Sequence, residues 1–143
     1  MGFGRAKDAK LRFIASLNER TPRKHERILM NRPLLGAMGC ESRNVDVLAV
    51  DFGQKIRLGR MEIELFPAGM GLGSAQLKLS YRNRRILYCG GIRLAKPLNS
   101  PPCEIPTCDV LLLDVASAPS KLGAPARTAK ALYDWLETAP MAQ

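Results

Sequence analysis

The feature that most constrains this chain is the spacing of apolar residues between positions 61 and 88. Residues 61–66 (MEIELF) alternate, with Met61, Ile63 and Leu65 on one face and Glu62 and Glu64 on the other. Residues 75–79 (AQLKL) alternate again, and 85–88 (RILY) follow a polar tip of Arg82, Asn83 and Arg84. A period of two is the mark of strands with one buried face, and the last two segments read as a β-hairpin. Between the first two lie three glycines, Gly69, Gly71 and Gly73, which permit a tight backbone between strands. As a phosphate cradle this segment is weak, because a strand and not a helix follows it.

The flanking segments extend the pattern. Residues 10–16 are a short strand candidate and 28–30 a buried one. A brief helix is expected over 33–38, with Asn31 as N-cap and Gly39 as stop. Residues 45–50 (VDVLAV) and 55–58 read as strands, and 109–113 (DVLLL) as an interior strand ending in Asp114. The proline-rich stretch 94–106 must be irregular. Residues 126–136 place Ala129, Leu132, Tyr133 and Leu136 at helical spacing, an amphipathic helix with Trp135 as core residue or partner anchor. One domain of 143 residues is expected: a basic stretch over 1–27, a strand-rich core over 28–114 and a terminal helix over 125–138.

Charge and histidine content pull in different directions. Lys and Arg number 22 against 13 Asp and Glu, for a net +9. Residues 1–40 carry +6 of it, and Arg82, Arg84, Arg85 and Arg93 form a second cluster. Basic clusters suit phosphate backbones, so RNA or DNA is a candidate partner. The expected contacts are Arg20, Arg23, Lys24, Arg27, Arg82, Arg84, Arg85 and Arg93; a solvated basic surface is the plainer reading. The one histidine, His25, excludes a multi-imidazole metal site built by this chain alone. The cysteines, Cys40, Cys89, Cys103 and Cys108, lack CxxC spacing and read as free thiols of a cytoplasmic protein. No apolar run is long enough to span a membrane.

Three blocks carry a resemblance: FPAGMGLGSAQLKL, RRILYCGGIRLAKP and PTCDVLLLDVAS. They resemble, in order and spacing, the pAGHxLGSAq, YxGD and CDxLxxEATyg blocks of the metallo-β-lactamase fold in its β-CASP exonuclease branch. The resemblance implies an α/β fold: an incomplete metallo-β-lactamase-like αβ sandwich with mixed β-sheets and a C-terminal helix. It is incomplete because the family's leading strands and later segments find no counterpart here. The resemblance also implies an ancestry among RNA- and DNA-processing phosphodiesterases that use two zinc or manganese ions.

Carried over residue by residue, the family's ligands are mostly replaced. The histidine of the first block falls on Met70 and the aspartate of the second on Gly91. The HxHxDH ligands, placed ahead of residues 21–29 (TPRKHERIL), fall on Ala15, Leu17, Glu19 and Arg20. The acid of the third block is kept as Asp114. Thioethers are soft ligands, poorly matched to zinc or manganese. Arg20 would add positive charge where two cations should sit. The resemblance therefore implies no metal cofactor and a catalytically inactive relative that binds nucleic acid or scaffolds a partner, either an intact homologue or a second copy. The alternatives are a residual or partner-completed hydrolase using Asp114, and a truncated interaction module without activity.

Overall fold

The computed structural model describes residues 11–19, 27–39 and 45–114. The expected C-terminal helix, the segment 20–26 with Arg20, Arg23 and Lys24, and Cys40 lie outside the described residues. The described part is α/β, with two sheets and one short helix. Strands β1 (Arg12–Ile14), β2 (Arg27–Asn31) and β3 (Asp46–Val50) form a parallel sheet in the order β1-β2-β3. Strands β4 (Lys55–Leu58), β5 (Met61–Pro67), β6 (Ala75–Tyr81), β7 (Arg84–Cys89) and β8 (Val110–Leu113) form a mixed sheet in that order. The first four pair antiparallel through short turns, and β8 joins β7 in parallel after the long proline-rich connection.

The alternation read in β5 to β7 decides how the sheets pack. Register aligns Ile63, Leu79 and Ile86 on one face, and Leu65, Leu77 and Tyr88 on the same face. That face meets Phe13, Leu29, Leu48 and Val50 of the three-stranded sheet, forming the larger core cluster. The helix α1 (Arg32–Ala37) covers the other face of the small sheet, where Ile14, Ile28, Met30 and Leu34 are buried together. Both faces of β2 are thus covered, which is why it reads as a continuous apolar run.

Asn31 does sit at the N-cap position of α1, in extended conformation, but makes no side-chain cap. Its Nδ2 instead donates to the Val50 carbonyl at 3.0 Å, tying β2 to the end of β3.

The outer face of the large sheet is covered in part by the proline-rich connection. Buried Gln76 clamps it there: Nε2 donates to the carbonyls of Glu104 at 2.7 Å and Pro67 at 2.8 Å. The Cys89 thiol donates to Gln76 Oε1 at 2.9 Å. Burial pushes the Cys89 thiol up to about 11, so it stays protonated near neutral pH. Cys89, Cys103 and Cys108 are free thiols.

The strand at 110–113 corrects one expectation. Among the described residues it is not interior: β8 ends the order of the large sheet, and all four of its residues are 41–54% exposed. An apolar run specifies burial on both faces only if neighbours exist to cover it. Among the described residues β7 is the neighbour on one side and nothing pairs on the other. No helix among the described residues is long and apolar enough to cross a membrane.

Candidate functional site

Strands β1, β5, β7 and β8 deliver their C-terminal ends to one region. The chain leaves β1 at Ala15 and turns through residues 16–19, closed by Glu19 N–H donating to the Ser16 carbonyl at 3.3 Å. The Ala15 carbonyl accepts from Ala75 N–H at 2.8 Å, fixing this turn to the start of β6. Glu19 folds back so that Oε1 accepts from Ala15 N–H at 2.6 Å, while Oε2 lies 3.8 Å from Arg12 Nη2. Asp114, just past β8, is fixed by its N–H donating to the Cys89 carbonyl at 2.9 Å.

Ser74 closes the turn of the Gly-rich segment. Its Oγ accepts from the N–H groups of Met70 at 3.0 Å and Gly71 at 3.1 Å, and donates to the Gly71 carbonyl at 2.9 Å. Those two amides are therefore already satisfied, which removes them from any phosphate cradle. Two glycines are required by close approach. A Cβ on Gly73, at φ +67°, would stand 2.7 Å from Leu34 N, and one on Gly69 would collide with the Arg93 carbonyl.

Five of the positions to which the resemblance assigns family ligands come together here. A Cβ added at Gly91 would lie 3.8 Å from Met70 Cε, and one at Gly90 3.4 Å from Ala15 Cβ. Glu19 and Asp114 lie close enough for their charges to interact. Leu17 departs from the group, being 47% exposed on the turn. Met70 is 48% exposed, so it rests against Gly91 as a rim and not as a buried plug.

The electrostatics here are set first by the burial of Glu19. Burial raises the Glu19 carboxyl above its ordinary value; Asp114 adds to the rise, and Ala15 N–H and Arg12 oppose it. Tyr88 is raised by burial and then by Glu19 and Asp114. Tyr88 and Arg12 were not singled out in the sequence. Tyr88 reads there as a strand residue, and Arg12 as one of many basic residues in the first forty. Only the convergence of β1 and β7 reveals them as neighbours of the acids; the rings of Phe13 and Tyr88 meet edge to face at 6.1 Å.

Among the described residues no group of three histidine, cysteine, aspartate or glutamate side chains comes together to hold a metal ion. Two carboxylates remain, one of them turned onto a backbone amide and an arginine.

Among the described residues, the arginines expected to contact nucleic acid lie at different places on the fold. Arg85 is committed to the fold: it donates through Nη2 to Asp109 Oδ1 at 3.0 Å, through Nε to Oδ2 at 3.2 Å, and through Nη1 to Thr107 Oγ1 at 3.2 Å. This lowers the Asp109 carboxyl and raises the Arg85 guanidinium. Arg27 pairs with Asp46 at 3.3 Å. Arg93 lies beyond the C-terminal end of β7, its N–H donating to the Ala68 carbonyl at 2.9 Å. Arg82 and Arg84 lie at the opposite end of that strand.

No protein-family model matches the chain, and no curated protein matches it. Among solved structures it is similar to a mutant of CmlA beta-hydroxylase, at 19% identity and a TM-score of 0.40. The match covers 50% of this chain and 17% of that one. At that level the likeness carries no argument about activity.

Proposed function

We propose that this protein is a catalytically inactive relative of metallo-β-lactamase-fold RNA- and DNA-processing exonucleases, acting as a nucleic-acid-binding or partner-scaffolding protein. One observation carries the reading. Ala15, Glu19, Met70, Gly91 and Asp114, the positions to which the resemblance assigns metal ligands, gather at the ends of β1, β7 and β8 and around the Gly-rich segment. Their side chains are a methyl, a thioether, a hydrogen and two carboxylates. The two-ion chemistry of that family needs imidazoles and a bridging carboxylate to hold the ions that activate water and clamp phosphate. A methyl and a hydrogen at those places supply no lone pair.

The test is metal content and nuclease activity with added zinc or manganese, for the wild type and for Asp114→Ala. No stoichiometric metal and no cleavage are expected. Metal-dependent cleavage that disappears in Asp114→Ala would overturn the reading in favour of a residual hydrolase.

The scaffolding half is supported by β8. Four exposed apolar residues on an edge strand offer both a backbone ladder and an apolar surface for another chain. A second copy or an intact homologue fits it. Light scattering of the protein alone should give a mass above 15.7 kDa, or a complex once the homologue is added; a stable monomer that takes up no homologue counts against this half.

A further inference from the structure

Two tight turns lie at the end of the large sheet opposite the acid pair. Gly59 and Arg60 join β4 to β5, and Arg82 and Asn83 join β6 to β7. Pairing of Met61 with Tyr81 sets the two turns side by side. Strand β5 then runs seven residues from this end to Pro67, a separation on the order of 20 Å from the acid pair.

On the outer face at this end, register places Arg57, Glu62, Ser80 and Arg85 in one row. Arg57, Gly59, Arg60, Glu62, Ser80 and Arg82 line a cleft of about 490 Å³. The charges in that row are not equally available. Glu62 pairs with Lys55 at 3.4 Å, and Arg85 is held by Asp109. Arg57, Arg60 and Arg82 have no carboxylate partner among the described residues, and all three are exposed.

Arg82 carries a further sign. Its guanidinium lies 5.3 Å from the centre of the Tyr81 ring, a contact that orients the group without using its N–H donors. It is also the one non-glycine residue at positive φ, +53°, among the described residues. That turn position ordinarily favours glycine, asparagine or aspartate, so arginine there is strained. The three guanidiniums line one cleft, where a single anion can meet more than one of them.

We infer that Arg57, Arg60 and Arg82, with the Ser80 hydroxyl, form a binding site for the phosphates of a nucleic-acid backbone. The inference rests on the nucleic-acid half of the proposed function and locates it. Guanidinium forks match phosphate oxygens in pairs, and the cleft is wide and open enough for more than one phosphate. The lining has no aromatic face for base stacking, so contact is to the backbone and indifferent to sequence.

The experiment is fluorescence anisotropy of labelled oligo-uridylate and oligo-thymidylate with the full chain, at about 50 mM and about 200 mM salt. Arg57→Glu/Arg60→Glu/Arg82→Glu should weaken binding by at least about tenfold and lower the salt slope by about 2, as expected for three lost single-strand phosphate contacts. The milder Arg57→Gln/Arg60→Gln/Arg82→Asn should act in the same direction, and it settles the matter should the reversal variant fail to fold. Undiminished binding by both variants, with loss instead in Arg23→Glu/Lys24→Glu/Arg27→Glu, would overturn the site while leaving the nucleic-acid reading intact. A wild type that binds neither oligonucleotide at low salt overturns both. Competition by polyglutamate as strong as by inorganic polyphosphate of equal charge would overturn the phosphate assignment in favour of an acidic peptide.

Discussion

The two ends of the five-stranded sheet are built from the same strands and put to opposite uses. At the end where β1, β7 and β8 terminate, almost every chemical group is consumed by the chain itself. Glu19 closes on Ala15 N–H and Arg12, Ser74 Oγ closes the Gly-rich turn, and Gly69 and Gly73 leave no room for a Cβ. At the end bearing the two tight turns, glycine and arginine face open space. A Cβ on Gly59 would meet nothing within 4 Å, and three guanidiniums lack acidic partners among the described residues. The difference teaches that the family-like end is held by its own packing, while the opposite end keeps its charge available.

The largest expected effect tests that packing. Gly73→Ala should destabilise by about 3 kcal/mol or more, because left-handed backbone and a clash with Leu34 act together. Urea unfolding read by far-ultraviolet circular dichroism measures it. Gly59→Ala, at nearly the same φ but in open space, should cost only about 1–2 kcal/mol. Equal costs would break the contrast between the ends. As a scale for the core between them, Leu65→Ala should cost about 2–5 kcal/mol.

A smaller effect concerns Glu19. Its carboxyl is raised in the folded state, so the contribution is full below the ordinary carboxylate range and is lost as pH rises through the folded value. The stability of wild type relative to Glu19→Gln should therefore fall as pH rises above the ordinary carboxylate range. A difference that is flat with pH would mean that burial does not raise the Glu19 carboxyl in the folded protein.

The smallest is local. Asp109 is lowered by Arg85, so this pair contributes above the ordinary range and is lost as pH falls through the folded value. Arg85→Ala should hasten amide exchange in β8 and leave β5 and β6 protected. Unchanged exchange at Leu111 to Leu113 would show that parallel pairing with β7 suffices to hold the edge.

The legible and the hidden parts of this chain differ for a physical reason. Strands β4 to β7 were readable because antiparallel neighbours in a two-layer fold write a period of two into the sequence. The brief helix and its stop at Gly39 were readable from turn chemistry. The exposure of β8 was not: an apolar run states a preference for burial, and only its neighbours decide whether that preference is met. Glu19 and Asp114 were singled out only through the family resemblance, and no local pattern in the sequence brings them together. Tyr88 and Arg12 had no local signal.

The sequence by itself determined the period-two alternation in the middle of the chain, the net charge of +9 and the single histidine that limits its chemistry. The tertiary structure decided which of those charges are free. Arg85 and Arg82 are three positions apart in the same basic run, yet one is spent on Asp109 and the other lines a cleft with Arg57 and Arg60. Pairing across a sheet sets distant residues side by side and turns consecutive ones to opposite faces, so a count of charges along the chain does not say which of them an anion can reach.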